Sequence, residues 1–424
     1  METKKLLIIT SSAGGGLLQA AVAQEQAALA HNPKIQTIQC DVLKDWVWSW
    51  LGRFSIESWN TAQKRGDVFS QKFFASFHRF FDYITWPNSF FHTLSILFKE
   101  DIDRVIDTQP SSTSAIMKAI RIFNWRRSKK VVLEKVIVDL PTRKATHFFR
   151  PIKALSKCDK KFLRLRTIEP LLEDGQTAED FWQHFCGLSE SEIHYEDVNV
   201  RLPFKNLQGK PRILDTVSIG FNAKNEDEID LMRKSYQRGN ISASVKNHEV
   251  IFDIPNEARV ITILLGSQPA SAATLNYVKN FVEVAKKVTK PIYLFVFCAN
   301  HHGNSLFQKV SQSVQEIPDY PESLTIIPFS FQNDQVIAPL FHRSDITISR
   351  SGGGTAMELM AVSTGEIWIH SEAKSKTKNL TLRELLSGIP VWESESALYL
   401  YKLKGAKILT PEIFMPQAMR LLGN

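Results

Sequence analysis

The feature that most constrains the fold is a segment near residue 350, where a short apolar run leads into three glycines and then into a helical pattern. Residues 344–359 read SDITISRSGGGTAMEL. A glycine turn at the start of a helix directs backbone N–H groups at an anion, and the helix dipole favours negative charge there. No Lys follows the last glycine, and the spacing is not G-x-G-x-x-G. The pattern therefore predicts a diphosphate site that is neither a P-loop nor a dinucleotide fingerprint.

Other residues extend the predicted site. Glu358 lies about one helical turn after Thr355, where a carboxylate can accept both hydroxyls of a ribose; a tight turn with a solvent-facing Glu is the plainer alternative. Gly266, in the sequence LLGSQ, follows another apolar run and lets the backbone approach a ligand closely. Phe329 and Ser330 follow a third run and can offer main-chain groups to a base, although an ordinary strand end explains them equally well.

Short apolar runs alternate with helical stretches along the chain. The runs are residues 5–10, 105–107, 136–139, 260–265, 292–297, 324–327, 346–349 and 367–369. This alternation predicts an α/β protein with largely parallel sheets. The first run ends in SSAGGG, residues 11–16, so a glycine turn before a helix occurs in both halves of the chain.

The chain has 424 residues, which favours two domains of similar construction. The pattern of strands is interrupted between about residues 205 and 245, where charged residues become frequent. We expect an N-terminal domain at 1–215, a nucleotide-binding domain at 216–395 and a helical segment at 396–424 that packs back on the N-terminal domain.

Composition excludes several classes of protein. The four cysteines are far apart and form no CxxC pair, which argues against a zinc site or a disulfide scaffold. No signal-peptide pattern and no run of about 18 apolar residues is present, so we expect a cytoplasmic protein that is at most peripheral on a membrane. A net charge of +8 fits an anionic substrate, an anionic membrane or a merely basic surface. Because the basic residues are scattered, no nucleic acid partner is expected.

Residues 46–98 are unusually aromatic, and Lys and Arg are interleaved with the rings. Aromatic and basic side chains together suit the interface of an anionic membrane. Packing in the protein core explains the same composition, so both interpretations stay open.

The order of these motifs resembles one family of glycosyltransferases. GSQ at 266–268, FCAN at 297–300 and SRSGGGTAMEL at 349–359 resemble the donor half of the MurG peptidoglycan glycosyltransferases, the monogalactosyldiacylglycerol synthases and the processive diacylglycerol glucosyltransferases. The N-terminal half is similar to the diacylglycerol enzymes in particular. That similarity rests on SAGGG at 12–16, the Trp-rich stretch from residue 45, DTQP at 107–110, VDLPT at 138–142 and HFF at 147–149.

The resemblance implies a GT-B fold, with two Rossmann-like domains whose parallel sheets face across a cleft. It implies inverting transfer from a UDP-sugar. The aromatic and basic N-terminal region favours a lipid acceptor, and helix dipoles with Arg350 or nearby lysines can hold the leaving UDP, so no metal or other cofactor is expected. The residues that the resemblance assigns to the nucleotide sugar are Gly14, Gly15, Gly16, Gly266, Ser267, Gln268, Phe329, Ser330, Arg350, Ser351, Gly352, Gly353, Gly354, Thr355 and Glu358. Among them, Glu358 would bind ribose, and Phe329 and Ser330 would flank uracil.

Asp139 is the predicted catalytic base, because the carboxyl ends of strands face the cleft in α/β folds. An Asp that only caps the next turn explains the same residue. His147 is the second candidate, against the alternative of a His packed between apolar neighbours.

The chain departs from the family pattern at two places. Leu17 stands where the family has His directly after the N-terminal glycines, and residues 369–379 carry extra lysines. Transfer to a protein or soluble acceptor, and a non-catalytic protein that binds a UDP-sugar or a membrane, therefore remain alternatives.

Overall fold

A computed structural model describes residues 4–12, 15–47, 49–65, 67–70, 78–213, 215–299, 306–374 and 380–423. Its framework is two six-stranded parallel sheets, one in each half of the chain. This architecture confirms the predicted GT-B fold class.

The N-terminal sheet has the order β2-β1-β3-β4-β5-β6, and all of its pairings are parallel. Its strands are β1 Lys5–Thr10, β2 Gln36–Asp41, β3 Arg104–Asp107, β4 Leu133–Val136, β5 Leu163–Thr167 and β6 Ile193–Tyr195. Strand β4 is shifted toward the N-terminus relative to the predicted run at 136–139, because its ladder with β5 covers Leu133–Val136.

The C-terminal sheet has the order β12-β11-β10-β13-β14-β15 and is also entirely parallel. Its strands are β10 Arg259–Leu264, β11 Ile292–Phe297, β12 Leu324–Phe329, β13 Ile346–Ser349, β14 Glu366–His370 and β15 Lys407–Leu409. Every residue of β11, β12 and β13 is buried. This burial on both faces is typical of a parallel sheet covered by helices and explains the continuous apolar runs.

A small antiparallel sheet, β7-β9-β8, lies in the region where the sequence suggested only an interruption. Its strands are β7 Val217–Asn222, β8 Ser242–Lys246 and β9 Glu249–Ile254. The alternating burial of β9 joins this sheet to the C-terminal core, where Phe221 stacks on Phe295 with ring centroids 5.4 Å apart. Strand β8 is largely exposed, so its sequence carries little apolar signal.

Helices cover both large sheets. They are α1 Gly15–His31, α2 Ser49–Lys64, α3 His78–Glu100, α4 Thr113–Phe123, α5 Thr146–Lys153, α6 Lys157–Lys160, α7 Ala178–Cys186, α8 Leu202–Leu207, α9 Glu226–Tyr236, α10 Ser271–Ala285, α11 Leu306–Gln315, α12 Asp334–Arg343, α13 Gly353–Val362, α14 Leu382–Ser387, α15 Val391–Lys404 and α16 Met415–Leu422. Among the described residues, no helix is both long enough and apolar enough to cross a bilayer.

The end of the chain is arranged differently from the predicted helical segment at 396–424. Residues Lys407–Leu409 form the edge strand β15 of the C-terminal sheet, and α16 packs against α10. Helix α15 makes the contacts with the N-terminal half; for example, the Tyr399 hydroxyl donates to the Glu169 carbonyl at 3.1 Å. The buried Ile408 explains why this segment completes the C-terminal core.

Some rings of the aromatic segment at 46–98 are packed in the core, and others are exposed as a membrane-facing surface requires. Trp46 is buried and stacks with His92. Several other rings are largely exposed, with exposed fractions of 60% for Phe54, 78% for Phe69 and 81% for Tyr83. Residues 71–77, which include three of the phenylalanines, lie outside the described part of the chain.

Candidate functional site

The site lies where the carboxyl ends of the two parallel sheets meet. The loop after β1 faces the loop after β13, and the two glycine segments touch. A Cβ atom at Gly354 would lie 3.2 Å from the Cα atom of Gly16. Ligands of open α/β sheets bind at the carboxyl ends of the strands, so the predicted segments from both halves converge on one place.

The segment at 350–355 has the predicted strand-turn-helix form. Strand β13 ends at Ser349, and α13 begins at Gly353 with Gly352 as its N-cap. The first N–H groups of a helix have no partner within the helix. Because Gly352 has no side chain that could cap them, this end of α13 is suited to an anion.

Gly353 is packed directly against the N-terminal domain. A Cβ atom there would lie 2.3 Å from Oδ1 of Asp139 and 2.5 Å from the carbonyl oxygen of Val138. No other residue type fits this position without a shift of the backbone. The Asp139 carboxylate consequently lies beside the N-terminus of α13.

The two predicted catalytic residues contact each other. Nε2 of His147, in the first turn of α5, lies 2.8 Å from Oδ2 of Asp139. The side chain of Asp139 is 16% exposed and that of His147 is 28% exposed. A carboxylate held by an imidazole in this way is a familiar acid–base arrangement.

The loop after β10 completes the predicted donor side. Gly266 has a φ of +79°, in the left-handed region that favours glycine, and a Cβ atom there would lie 3.7 Å from Cδ of Arg350. Ser267 lies opposite Gly15, whose Cβ position would be 3.3 Å from the Ser267 side chain. Gln268, next to Ser267, and Thr355, in the first turn of α13, are both half-buried. Gly14 lies outside the described residues.

Glu358 does not face solvent. Its side chain is 10% exposed, and its Oε1 accepts hydrogen bonds from Nε and Nη2 of Arg201 at 3.0 and 2.7 Å. Burial raises the pKa of Glu358, while the Arg201 guanidinium opposes that shift. The plainer alternative of an exposed turn Glu is therefore wrong.

Arg201 was not predicted as a site residue. It precedes α8 in the stretch between the domains and lies 157 residues before Glu358 in the sequence. Its only sequence signal is a cation in RLPF, residues 201–204, just before the stretch where the pattern of strands is interrupted.

A second unpredicted residue, Glu393 of α15, lies against the glycine segment. Its Oε2 is 3.8 Å from Nε of Arg350, and its main-chain oxygen accepts from the Ser351 hydroxyl at 2.9 Å. Burial raises the pKa of Glu393, Arg350 lowers it and the Asp139 carboxylate raises it further. Nothing in the local sequence of α15 indicates this role.

The two residues predicted to flank uracil are buried. The ring of Phe329 has no exposed surface and packs on Phe221 and Phe297 in the C-terminal core, so it cannot stack on a base. The Phe329 carbonyl accepts from the Cys298 amide at 2.8 Å. The Ser330 hydroxyl is buried and has no hydrogen-bond partner among the described residues.

Leu17 packs in an apolar cluster that includes Val138 and Phe148. A His at this position would bring a polar ring into that cluster. Of the altered segment at 369–379, residues 375–379 lie outside the described part of the chain, while His370 is buried and its Nδ1 lies 3.2 Å from the Tyr277 hydroxyl.

Residues 260–380 match the sequence profile of the glycosyltransferase family 28 C-terminal domain. The match spans β10 through β14 and includes the loops at 266–268 and 350–355. It confirms the prediction of a UDP-sugar-dependent glycosyltransferase at the level of the enzyme class. No curated protein matches the chain at a significant level.

Solved structures resemble the chain only distantly. MurG of Acinetobacter baumannii has 13% identity over 99% of this chain and 91% of its own, with a TM-score of 0.46. A putative UDP-N-acetylglucosamine 2-epimerase of Listeria monocytogenes has 10% identity over 100% and 95%, with a TM-score of 0.42. A glycosyltransferase of Rickettsia africae has 10% identity over 100% and 94%, with a TM-score of 0.41. The fold assignment accordingly rests on the two parallel sheets themselves.

Proposed function

We propose that the chain is an inverting, metal-independent glycosyltransferase that transfers a sugar from a UDP-sugar to a lipid hydroxyl of the diacylglycerol type. One observation carries the proposal. The Asp139 carboxylate of the N-terminal domain lies against Gly353, at the start of the helix suited to the donor diphosphate. A base and a leaving-group site from opposite domains therefore share one location.

The leaving UDP gains negative charge as the glycosidic bond breaks. The N-terminus of α13 and the Arg350 side chain would stabilise that charge, and Ser267 would donate a hydrogen bond from the loop after β10. Fixed donors of this kind can replace a divalent cation, which is the basis for proposing metal independence.

Asp139 is the proposed base. The acceptor oxygen attacks the anomeric carbon from the face opposite UDP, its proton passes to Oδ1 of Asp139, and the bond to UDP breaks with the electron pair leaving on the diphosphate. Oδ2 is held by His147, so His147 orients the carboxylate before the transfer.

Exposed aromatic side chains support a lipid acceptor. Phe54, Phe69 and Tyr83 lie in the segment that also carries Lys64 and Arg65. Rings at headgroup depth and cations on anionic lipid would hold the N-terminal domain on a membrane surface. The chain would then act as a peripheral enzyme on an acceptor that stays in the bilayer.

The test is a transfer assay with vesicles that contain diacylglycerol and anionic lipid. UDP-glucose, UDP-galactose and UDP-GlcNAc are supplied in turn, with EDTA present, and the products are UDP and a glycolipid whose anomeric configuration is read by NMR. We expect the β-anomer from these α-linked donors and about 10²–10⁴-fold slower product formation with Asp139→Asn. A retained α configuration, or activity abolished by EDTA, would contradict the mechanism.

One observation favours the non-catalytic alternative. Leu17 lies in an apolar cluster, where the family has a polar His. Binding of UDP without turnover of any of the three donors, with lipid, protein or soluble acceptors, would establish this second function instead.

A further inference from the structure

The contact between Arg201 and Glu358 spans the two halves of the molecule and rests on the carboxylate that the proposed function assigns to ribose. Two guanidinium N–H groups converge on one carboxylate oxygen, and the side chains are only 12% and 10% exposed. Helix α8, which begins directly after Arg201, packs against α12 and α13. The pair is therefore buried within the donor side of the site.

Other parts of the donor site are covered in the same way. Asp139 lies against Gly353, and Gly15 lies against Ser267. A cavity between the N-terminal sheet and Met357 of α13 has a volume of about 10 Å³, which is room for roughly one water molecule. These contacts cover the donor loop from the N-terminal side.

A donor ribose cannot use Oε1 of Glu358 while Arg201 holds it. Neutral hydroxyl groups would have to replace a charged, two-pronged partner, and a buried ion pair that loses one member leaves the other charge uncompensated. A ribose that bound both carboxylate oxygens of Glu358 would therefore have to displace Arg201 from Oε1.

We propose that Arg201 is an interdomain latch that competes with the donor ribose for Glu358 and sets the affinity of the protein for UDP. The latch fixes the stretch before α8 to α13, and entry of the nucleotide breaks it. The free energy of this contact opposes donor binding, so weakening the contact strengthens binding. The proposal rests on the proposed function, because it takes Glu358 as a ligand of the donor.

The chain offers a matched control. Nζ of Lys144 lies 3.2 Å from Oε1 of Glu395 in α15, so this ion pair also joins the two halves of the molecule. It does not involve Glu358. Lys144→Gln weakens interdomain contact by one ion pair and leaves the predicted ribose carboxylate occupied by Arg201.

The experiment is calorimetric titration of UDP into the wild type, Arg201→Gln, Arg201→Lys and Lys144→Gln. We expect Arg201→Gln to bind UDP about five-fold more tightly or better, the lower end of typical coupling between linked equilibria. Arg201→Lys, which keeps the charge but loses the two-pronged geometry, should fall between it and the wild type. Lys144→Gln should bind like the wild type.

Three results would overturn the latch. The first is that both Arg201 variants bind UDP no more tightly than the wild type. The second is that Lys144→Gln gains as much UDP affinity as Arg201→Gln. The third is that Arg201→Lys gains as much UDP affinity as Arg201→Gln. If the wild type binds UDP and the Arg201 variants bind no better, the latch fails while the proposed function stands. If no form of the protein binds UDP, the proposed function fails first.

Discussion

At the scale of single residues, the chemistry depends on Asp139 and the imidazole that holds it. Asp139→Asn removes the proton acceptor but keeps the shape beside Gly353. We expect kcat to fall about 10²–10⁴-fold, the usual contribution of general acid–base catalysis, with little change in UDP affinity. His147→Ala should lower kcat less, because it removes only the hydrogen bond to Oδ2.

Initial rates and UDP titrations on the two single variants and the double variant check this assignment. Residues that act as one unit are not additive, so the double variant should be no slower than Asp139→Asn alone. If the losses of kcat in the two single variants multiply in the double variant, His147 has a separate role. If Asp139→Asn keeps the kcat of the wild type, Asp139 is not the base.

Glu393 gives a pH-dependent prediction at the same scale. Its pKa in the folded protein is raised above the ordinary 4.5, first by burial. Its contribution to stability is therefore complete below pH 4.5 and is lost as the pH rises through the folded pKa. A Gln side chain cannot ionise, so the Glu393→Gln variant does not lose stability in this way as the pH rises. The Tm of the variant minus that of the wild type should therefore increase with pH from about pH 5 upward.

A carboxylate with the opposite shift serves as the control in that measurement. Glu384 accepts hydrogen bonds from the amide and the hydroxyl of Thr381 at the start of α14, and these lower its pKa. The wild type gains stability as Glu384 ionises, so the Tm difference for Glu384→Gln should decrease with rising pH. Parallel pH profiles for the two variants would contradict the assigned shifts.

At the scale of elements, the site depends on how closely the two strand-turn-helix units approach. Gly353→Ala places a methyl group against Asp139 and Val138, whereas a Cβ atom at Gly16 would lie 3.6 Å from the Gly354 amide nitrogen. Overpacking typically costs about 1–3 kcal/mol, so Gly353→Ala should lower both Tm and UDP affinity. The added methyl group of Gly16→Ala makes only an ordinary van der Waals contact, so this substitution should leave Tm nearly unchanged. Similar effects of the two substitutions on Tm would contradict the close packing assigned to Gly353.

Strands β3 and β4 carry a fully buried ion pair that supports the loop at 107–110. Nζ of Lys135 lies 2.6 Å from Oδ2 of Asp107, and neither side chain is exposed. Lys135→Met should destabilise the protein by about 3–5 kcal/mol, because it removes the cationic partner of the buried Asp107. Urea denaturation should show most of this loss restored in Asp107→Leu/Lys135→Met; a double variant as unstable as the single one would refute that explanation.

The elements were predictable where local sequence carries the physical cause. Buried parallel strands are continuous apolar runs, so β1, β10 and β13 and the turns after them were visible in the sequence. Strand β8 is largely exposed and carries no such run. The sequence indicates that a strand ends near Phe329. The direction of its ring is not predictable locally, because it depends on packing with the distant Phe221.

At the scale of the whole molecule, the sequence predicts two domains and where their functional edges lie, but not how those edges close. Arg201 and Glu358 are 157 residues apart, and neither residue type nor spacing links them. The same holds for Glu393, which reaches Arg350 from a helix after the last predicted strand. Long-range pairing of charges is a property of the assembled domains.

The central claim is that the segment at 350–358 binds the UDP part of a nucleotide sugar. Calorimetric titration of UDP into the wild type, Arg350→Gln and Arg259→Gln tests it most directly. Arg259 is the control, because it lies at the opposite end of β10 and contacts Asp345 at 3.2 Å. Asp345 keeps a second arginine, Arg212, at 2.8 Å.

We expect the wild type and Arg259→Gln to bind UDP equally. Arg350→Gln should bind about ten-fold more weakly or worse, since a hydrogen bond to a charged group contributes about 1.5–3 kcal/mol. A wild type that does not bind UDP, or an Arg350→Gln variant that binds it as well as the wild type, would contradict the account.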